Sequence, residues 1–150
     1  MKREPTIAEL RALANDVSKN VDHLMRFFQM ARDAMVIWDR SCVAYVNPAW
    51  TEMLGYSREE SVGKHWSSFV CPGVKEAREE YERVWQEMGD EGGQAAPVCY
   101  LHKEGHPVMI EWSWRGNGIL GQAYAVGRRL GARGVDVNGT PPPCMKGINE

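Results

Sequence analysis

The stretch "YVNPAWTEMLGYSREESVG", Tyr45 to Gly63, decides the fold. It opens on β-forming residues and stops at Asn47-Pro48. A proline has no N–H for a strand ladder, but its fixed φ suits the first turn of a helix. Asn47 can cap that turn with its side-chain oxygen. "PAWTEML" is therefore predicted as a short helix, closed by Gly55. Ser57 with Glu60 reads as a capping box that opens a second short piece, ended by Gly63.

Upstream, "MVIWD" (Met35 to Asp39) and "VAYVN" (Val43 to Asn47) are β-rich runs joined by Arg40-Ser41-Cys42, a first hairpin. Downstream, "HWSSFV" reads as a single turn halted at Cys71-Pro72-Gly73. Val74 to Met88 reads as one amphipathic helix with a stripe of Ala77, Tyr81, Val84 or Trp85, and Met88. After the "GDEGGQ" loop come three strand candidates, "PVCYLHK", "PVMIEWSW" and "ILGQAYAVGRRL". In the second, Val108, Ile110, Trp112 and Trp114 share one face. Asn117-Gly118 marks the turn into the third. Two strands, a helical cluster and three strands predict an α+β domain, with helices on one face of an antiparallel sheet. Residues 131–150 are Gly- and Pro-rich and read as a flexible tail.

Residues 1–33 form a separate unit. Thr6 and Glu9 match a capping box that starts a long helix. Its apolar positions Ile7, Leu10, Ala14, Val17, Val21, Leu24, Phe28 and Ala31 step by threes and fours, as in an a/d heptad. Leu13, Met25 and Phe27 widen that face. Such a helix either covers its own sheet or pairs with a second subunit. The second reading is preferred, because so long a stripe is hard to bury on so small a domain. Leu10, Val17, Val21, Leu24 and Phe28 are then the expected homodimer contacts.

The 150-residue chain is 43% hydrophobic and 25% charged, with a formal net charge of −2. That balance favours neither nucleic acid nor an anionic membrane as a partner. The four cysteines, Cys42, Cys71, Cys99 and Cys144, fit no zinc or haem-attachment spacing. Their wide separation, and the charged start "MKREPTIAEL", suggest a cytoplasmic protein.

The element order and three motifs resemble the PAS domain family over residues 34–130. "NPAWTEMLGYSREESVGKHW" is similar to its Asn-x-Ala-aromatic…Gly-Tyr-Ser/Thr-x-x-Glu-x-x-Gly signature. "LHKEGHPVMIEWS" resembles its Lys-Asp-Gly hairpin, and "LGQAYAVGRR" its last strand. The resemblance implies a hollow between a five-stranded antiparallel sheet and the broken helices. Strand alternation would aim Val36, Trp38 and Val46 inward from the hairpin, and Ile110 and Trp112 from the later strands. Trp50, Met53, Trp66 and Phe69 would come from the helices, and Asn47 would stitch the helix start to the strand end. Such a lining suits a flat or greasy small molecule. The same side chains can instead meet and fill the space.

Several family chemistries do not match. The Asn-Cys-Arg-Phe-Leu-Gln motif of covalent flavin binding is missing where "WSSFVCPGVKEA" stands. A covalent phenolate chromophore on Cys71 would lack polar partners at Val46 and Trp50, so Cys71 reads as a semi-buried thiol in a turn. The helix from Val74 to Met88 carries no histidine for haem. His23, His65, His102 and His106 read as surface or hydrogen-bonded residues. Non-covalent FAD, stacked on Trp50 and Trp66, is thus favoured over haem, with a site that holds no cofactor as the alternative. No metal set or catalytic pairing is legible, so no enzyme is expected. Relatives that drive kinases or cyclases usually end in Asp-Ile-Thr, where this chain has Arg128-Arg129-Leu130. If the chain is whole, output runs through an interface with a second copy or a signalling partner; if it is a fragment, the output lies elsewhere. The expectation is a sensory domain with a small apolar or aromatic ligand, against a ligand-free interaction adaptor with a packed core.

Overall fold

The computed structural model describes residues 2–94 and 97–131. Helix α1 runs Ile7–Met30 and starts at the expected capping box, with Thr6 Oγ1 accepting from the Glu9 amide and the Glu9 carboxylate accepting from the Thr6 amide. Strands β1 (Ala34–Asp39) and β2 (Cys42–Val46) form the first hairpin. Its two-residue turn, Arg40-Ser41, has positive φ at both positions (49° and 69°). That pair of dihedrals matches the right-handed twist of the flanking strands. The helical cluster comprises α2 (Pro48–Leu54), α3 (Arg58–Ser61), a 3-10 turn (Trp66–Ser68), α4 (Pro72–Glu76) and α5 (Arg78–Met88). Strands β3 (Gly93–Gln94), β4 (Val98–Leu101), β5 (Pro107–Asn117) and β6 (Gln122–Arg129) follow.

The sheet is antiparallel, in the order β2-β1-β6-β5-β3, with β4 also on β5. Among the described residues it has six strands rather than the expected five. The extra one, β3, meets β5 at Gly93↔Trp114, while β4 meets the same strand at Val98↔Ile110. The two are lengths of one edge lane, so the five-lane arrangement holds.

Three local expectations need correction. The helix expected from Val74 to Met88 is broken at Ala77, whose φ of −89° and ψ of 17° leave the helical well. Val74 is buried, while Tyr81 and Trp85 pack toward Trp66. One straight helix does not serve both anchor points. The β5–β6 turn falls at residues 118–121 rather than at Asn117-Gly118, because the ladder continues to Asn117↔Gln122. Asp90 holds that end of β5, its carbonyl accepting from the Gly116 amide and its carboxylate from the Gly118 amide. Finally, Cys71 is not a semi-buried thiol: it is fully buried and bonded to Cys99, tying the start of α4 to β4. Wide separation in the sequence thus did not keep these two cysteines apart, and the expectation of a cytoplasmic protein loses that support. No helix among the described residues is long and apolar enough to cross a membrane.

The core lies between the helical cluster and the sheet. Its hub is Trp50 of α2, fully buried, whose indole meets Trp38, Phe69, Tyr100 and Trp112 at centroid distances of 5.0–6.5 Å. Helix α1 buries none of its residues, so it does not cover its own sheet. The expected tail falls, after Gly131, outside the described residues.

Candidate functional site

Small residues on β6 create the open space. Ala123, Ala125 and Gly127 sit opposite Trp38, Val36 and Ala34 of β1 on the helix-facing side. Gly127 has no room for a larger side chain: a Cβ there would lie 2.7 Å from Trp112 Cζ3, so the Trp112 ring rests on bare backbone. Across from these strands stand α5 and the 3-10 turn. Between the two layers is a cleft of about 600 Å³.

Its inner lining is aromatic: Trp38, Trp66, Trp85, Tyr100, Trp112 and Trp114. Burial pushes the Tyr100 phenol far above its usual pKa, so it stays neutral; the nearby Trp112 indole opposes this only in part. The indole N–H groups of Trp66 and Trp114 are sealed from solvent and meet no acceptor at hydrogen-bonding geometry among the described residues. A buried N–H in that state costs roughly 1–3 kcal/mol.

The mouth is polar. His65 Nδ1 accepts from the Ser67 amide at 3.1 Å and lies 2.9 Å from the Ser67 hydroxyl. Its Nε2 faces Glu82 Oε1 at 3.5 Å and Arg78 Nη2 at 3.2 Å, and Arg78 Nε donates to the same Glu82 oxygen at 3.0 Å. Burial and the Arg78 charge lower the His65 pKa against the opposing pull of Glu82. Both ring nitrogens of His65 thus have partners within the fold.

The predicted pocket residues divide. Trp38, Trp66 and Trp112 line the cleft. Val36, Val46, Asn47, Trp50, Phe69 and Ile110 are all at most 5% exposed and belong to the packed core, with Met53 packed against it. The centre of the expected hollow is thus filled by Trp50, whose Nε1 donates to Ser61 Oγ at 2.9 Å. Trp50 therefore offers no ring face to a flavin, and the open volume is shifted toward α5. Trp85, Tyr100, Trp114, Ala123 and Ala125 were missed as lining residues. Trp85 was legible as one of two choices on its helical stripe; small residues on a strand carry no such signal.

Asn47 does the stitching expected of it. Its Oδ1 accepts from the Met35 and Trp50 amides, and its Nδ2 donates to the carbonyls of Phe28 and Asp33. The expected dimer residues Leu10, Val17, Val21 and Leu24 are exposed along α1. Phe28 is half-buried and borders a second groove, of about 520 Å³, on the outer side of the sheet with Met35, Ile37, Tyr124 and Val126.

A family whose description reads "PAS domain" matches residues 32–117, more than half of the chain. Solved structures agree in fold. A PAS domain of an HTR-like protein from Haloarcula marismortui superposes with a TM-score of 0.67 at 16% identity, covering 80% of this chain and 99% of that one. A domain of a sensory box sensor histidine kinase/response regulator from Geobacter sulfurreducens gives 0.60 at 19% identity, covering 75% and 96%. The PAS domain, in complex with ethanol, of a LuxR-family transcriptional regulator from Burkholderia thailandensis gives 0.60 at 14%, covering 71% and 96%. No curated protein matches the sequence.

Proposed function

The chain belongs to the PAS domain family, and from that premise we propose that it is a sensory domain which takes a small, mainly aromatic ligand into the cleft between α5 and the sheet. The observation that carries this reading is the open, indole-lined volume of about 600 Å³, within the range of small-molecule sites. The ethanol complex of the Burkholderia relative supports small-molecule binding as a use of this fold. Output runs through a homodimer formed by α1 and the adjoining outer sheet face, both apolar and open. The occupant biases a two-state packing of Trp112 and its neighbours, and the sheet passes that bias to the root of α1. The reading contains no catalytic step, and the titratable groups His65, Arg78 and Glu82 at the mouth are bound to one another.

A second reading, a ligand-free adaptor, is favoured by Trp50, which fills the centre of the domain. An absorption spectrum of the purified chain, followed by mass spectrometry of the heat-released supernatant, separates the two. A released aromatic compound, one per chain, is expected. A colourless protein that releases nothing, and whose tryptophan emission is unchanged by a panel of aromatic compounds, supports the adaptor.

A further inference from the structure

We propose that the turn between β4 and β5 binds a borderline divalent cation, Zn²⁺, Ni²⁺ or Cu²⁺, through His102, Glu104 and His106. In the sequence the two histidines merely flank a turn. In the fold they are partners across it: the His102 amide donates to the His106 carbonyl at 2.8 Å. Gly105, at a φ of 98°, closes the turn tightly, and its amide donates back to the His102 carbonyl. Both imidazoles therefore leave the same face of the hairpin. Their rings stack with centroids 4.1 Å apart and planes 17° from parallel. Glu104 sits at the tip between them, and one donor atom from each of the three side chains falls within 4.8 Å of the others.

The surroundings favour a cation. Lys103, the one positive side chain of the turn, is drawn away to Glu60, 2.7 Å from its carboxylate, so it does not neutralise Glu104. The His102 ring is braced against α2: a Cβ on Gly55 would lie 2.7 Å from His102 Cε1. The Glu104 amide donates to His102 Nδ1, so this nitrogen carries the lone pair and Nε2 the hydrogen. Binding through Nδ1 exchanges that single exposed hydrogen bond for a coordinate bond and leaves Nε2 protonated. Near-parallel rings cannot both aim their in-plane lone pairs at one ion, so binding requires the exposed His106 ring to swing out of the stack while Glu104, also exposed, closes to the roughly 2.0–2.2 Å that nitrogen and carboxylate ligands need. Two imidazoles and one carboxylate select borderline metals over Mg²⁺ and Ca²⁺, which prefer all-oxygen shells. Water completes the shell on the open side. The bound ion would clamp a hairpin that already holds α2, through the Lys103 amide on the Leu54 carbonyl at 2.8 Å.

The test is titration of the full chain with Cu²⁺, Ni²⁺, Zn²⁺ and Mg²⁺ in separate runs, each in competition with a chromophoric chelator. One equivalent is expected to bind, Cu²⁺ most tightly and Mg²⁺ not at all. The Cu²⁺ electron spin resonance spectrum should carry hyperfine structure from two nitrogens. His106→Ala and Glu104→Gln, both at exposed positions that leave the core untouched, should each weaken Zn²⁺ binding at least tenfold. Uptake unchanged in His106→Ala, equal uptake of Mg²⁺, a Cu²⁺ spectrum without nitrogen structure, or no uptake of Cu²⁺ in the micromolar range would each overturn the proposal.

Discussion

Asn47 uses every hydrogen-bonding position its amide has. Two acceptor sites on Oδ1 and two hydrogens on Nδ2 meet four backbone groups, from α1, the α1–β1 link, β1 and α2. Because the residue is 1% exposed, water cannot replace these partners. Asn47→Ala should cost about 3 kcal/mol, read as a lower urea midpoint with an unchanged slope. Asn47→Asp should be no better, since a carboxylate accepts but cannot donate to the Phe28 and Asp33 carbonyls. An Asp variant as stable as the parent would refute this account. His65 sets a second expectation at this scale. Its pKa is lowered by burial and by Arg78, so the unfolded chain binds the proton more readily than the folded one. Stability from this residue is complete above the unfolded value of about 6.5 and is lost progressively as pH falls from there through the lower folded value. Denaturation midpoints at pH 7.5 and 5.5 should therefore differ more for the parent than for His65→Asn, which keeps an acceptor for the Ser67 amide.

At the scale of elements, α1 poses the main physical question. A 24-residue helix with no buried side chain has little besides propensity and its cap to hold it. Asn47 fixes its root through the Phe28 carbonyl, so the helix projects in a defined direction with its apolar stripe uncovered. In the proposed dimer a second copy covers that stripe, since an a/d pattern complements itself. Leu10→Asp with Leu24→Asp touches no core contact, as the parent side chains are 49% and 67% exposed. If the proposed dimer forms, the parent should associate by light scattering and the double variant should be monomeric. An unchanged association state would remove α1 from the interface. The helical layer teaches a related lesson. Ser57 and Glu60 cap α3 as their spacing predicts, and the Lys103 ammonium beside Glu60, with the Ser57 amide, holds that carboxylate below its usual pKa. Capping is a matter of a few residues and was legible. The break at Ala77 was not, because it comes from two distant anchors, the buried Val74 and the Trp66 ring that Trp85 meets.

Over the whole molecule, the order of elements, the antiparallel sheet and the PAS membership could be read from the chain. Those signals are short-ranged: a proline after an asparagine, a serine three residues before a glutamate, a glycine at positive φ, an alternation of period two. Each is decided by neighbours within one turn or one strand pair. The location of the open space was not legible in that way. A cavity is what remains after side chains from several distant segments have taken their volume, and hydrophobic pattern cannot say which of them meet. Trp50 was expected to line a hollow and instead fills it, while Ala123 and Ala125, unremarkable in sequence, leave the gap beneath α5. The bond between Cys71 and Cys99 and the convergence of His102, Glu104 and His106 belong to the same class. Sequence alone determined which local structures form and in what order, because their energetics are local. Only the tertiary structure decided which side chains share space, because packing is settled between residues that the chain itself keeps far apart.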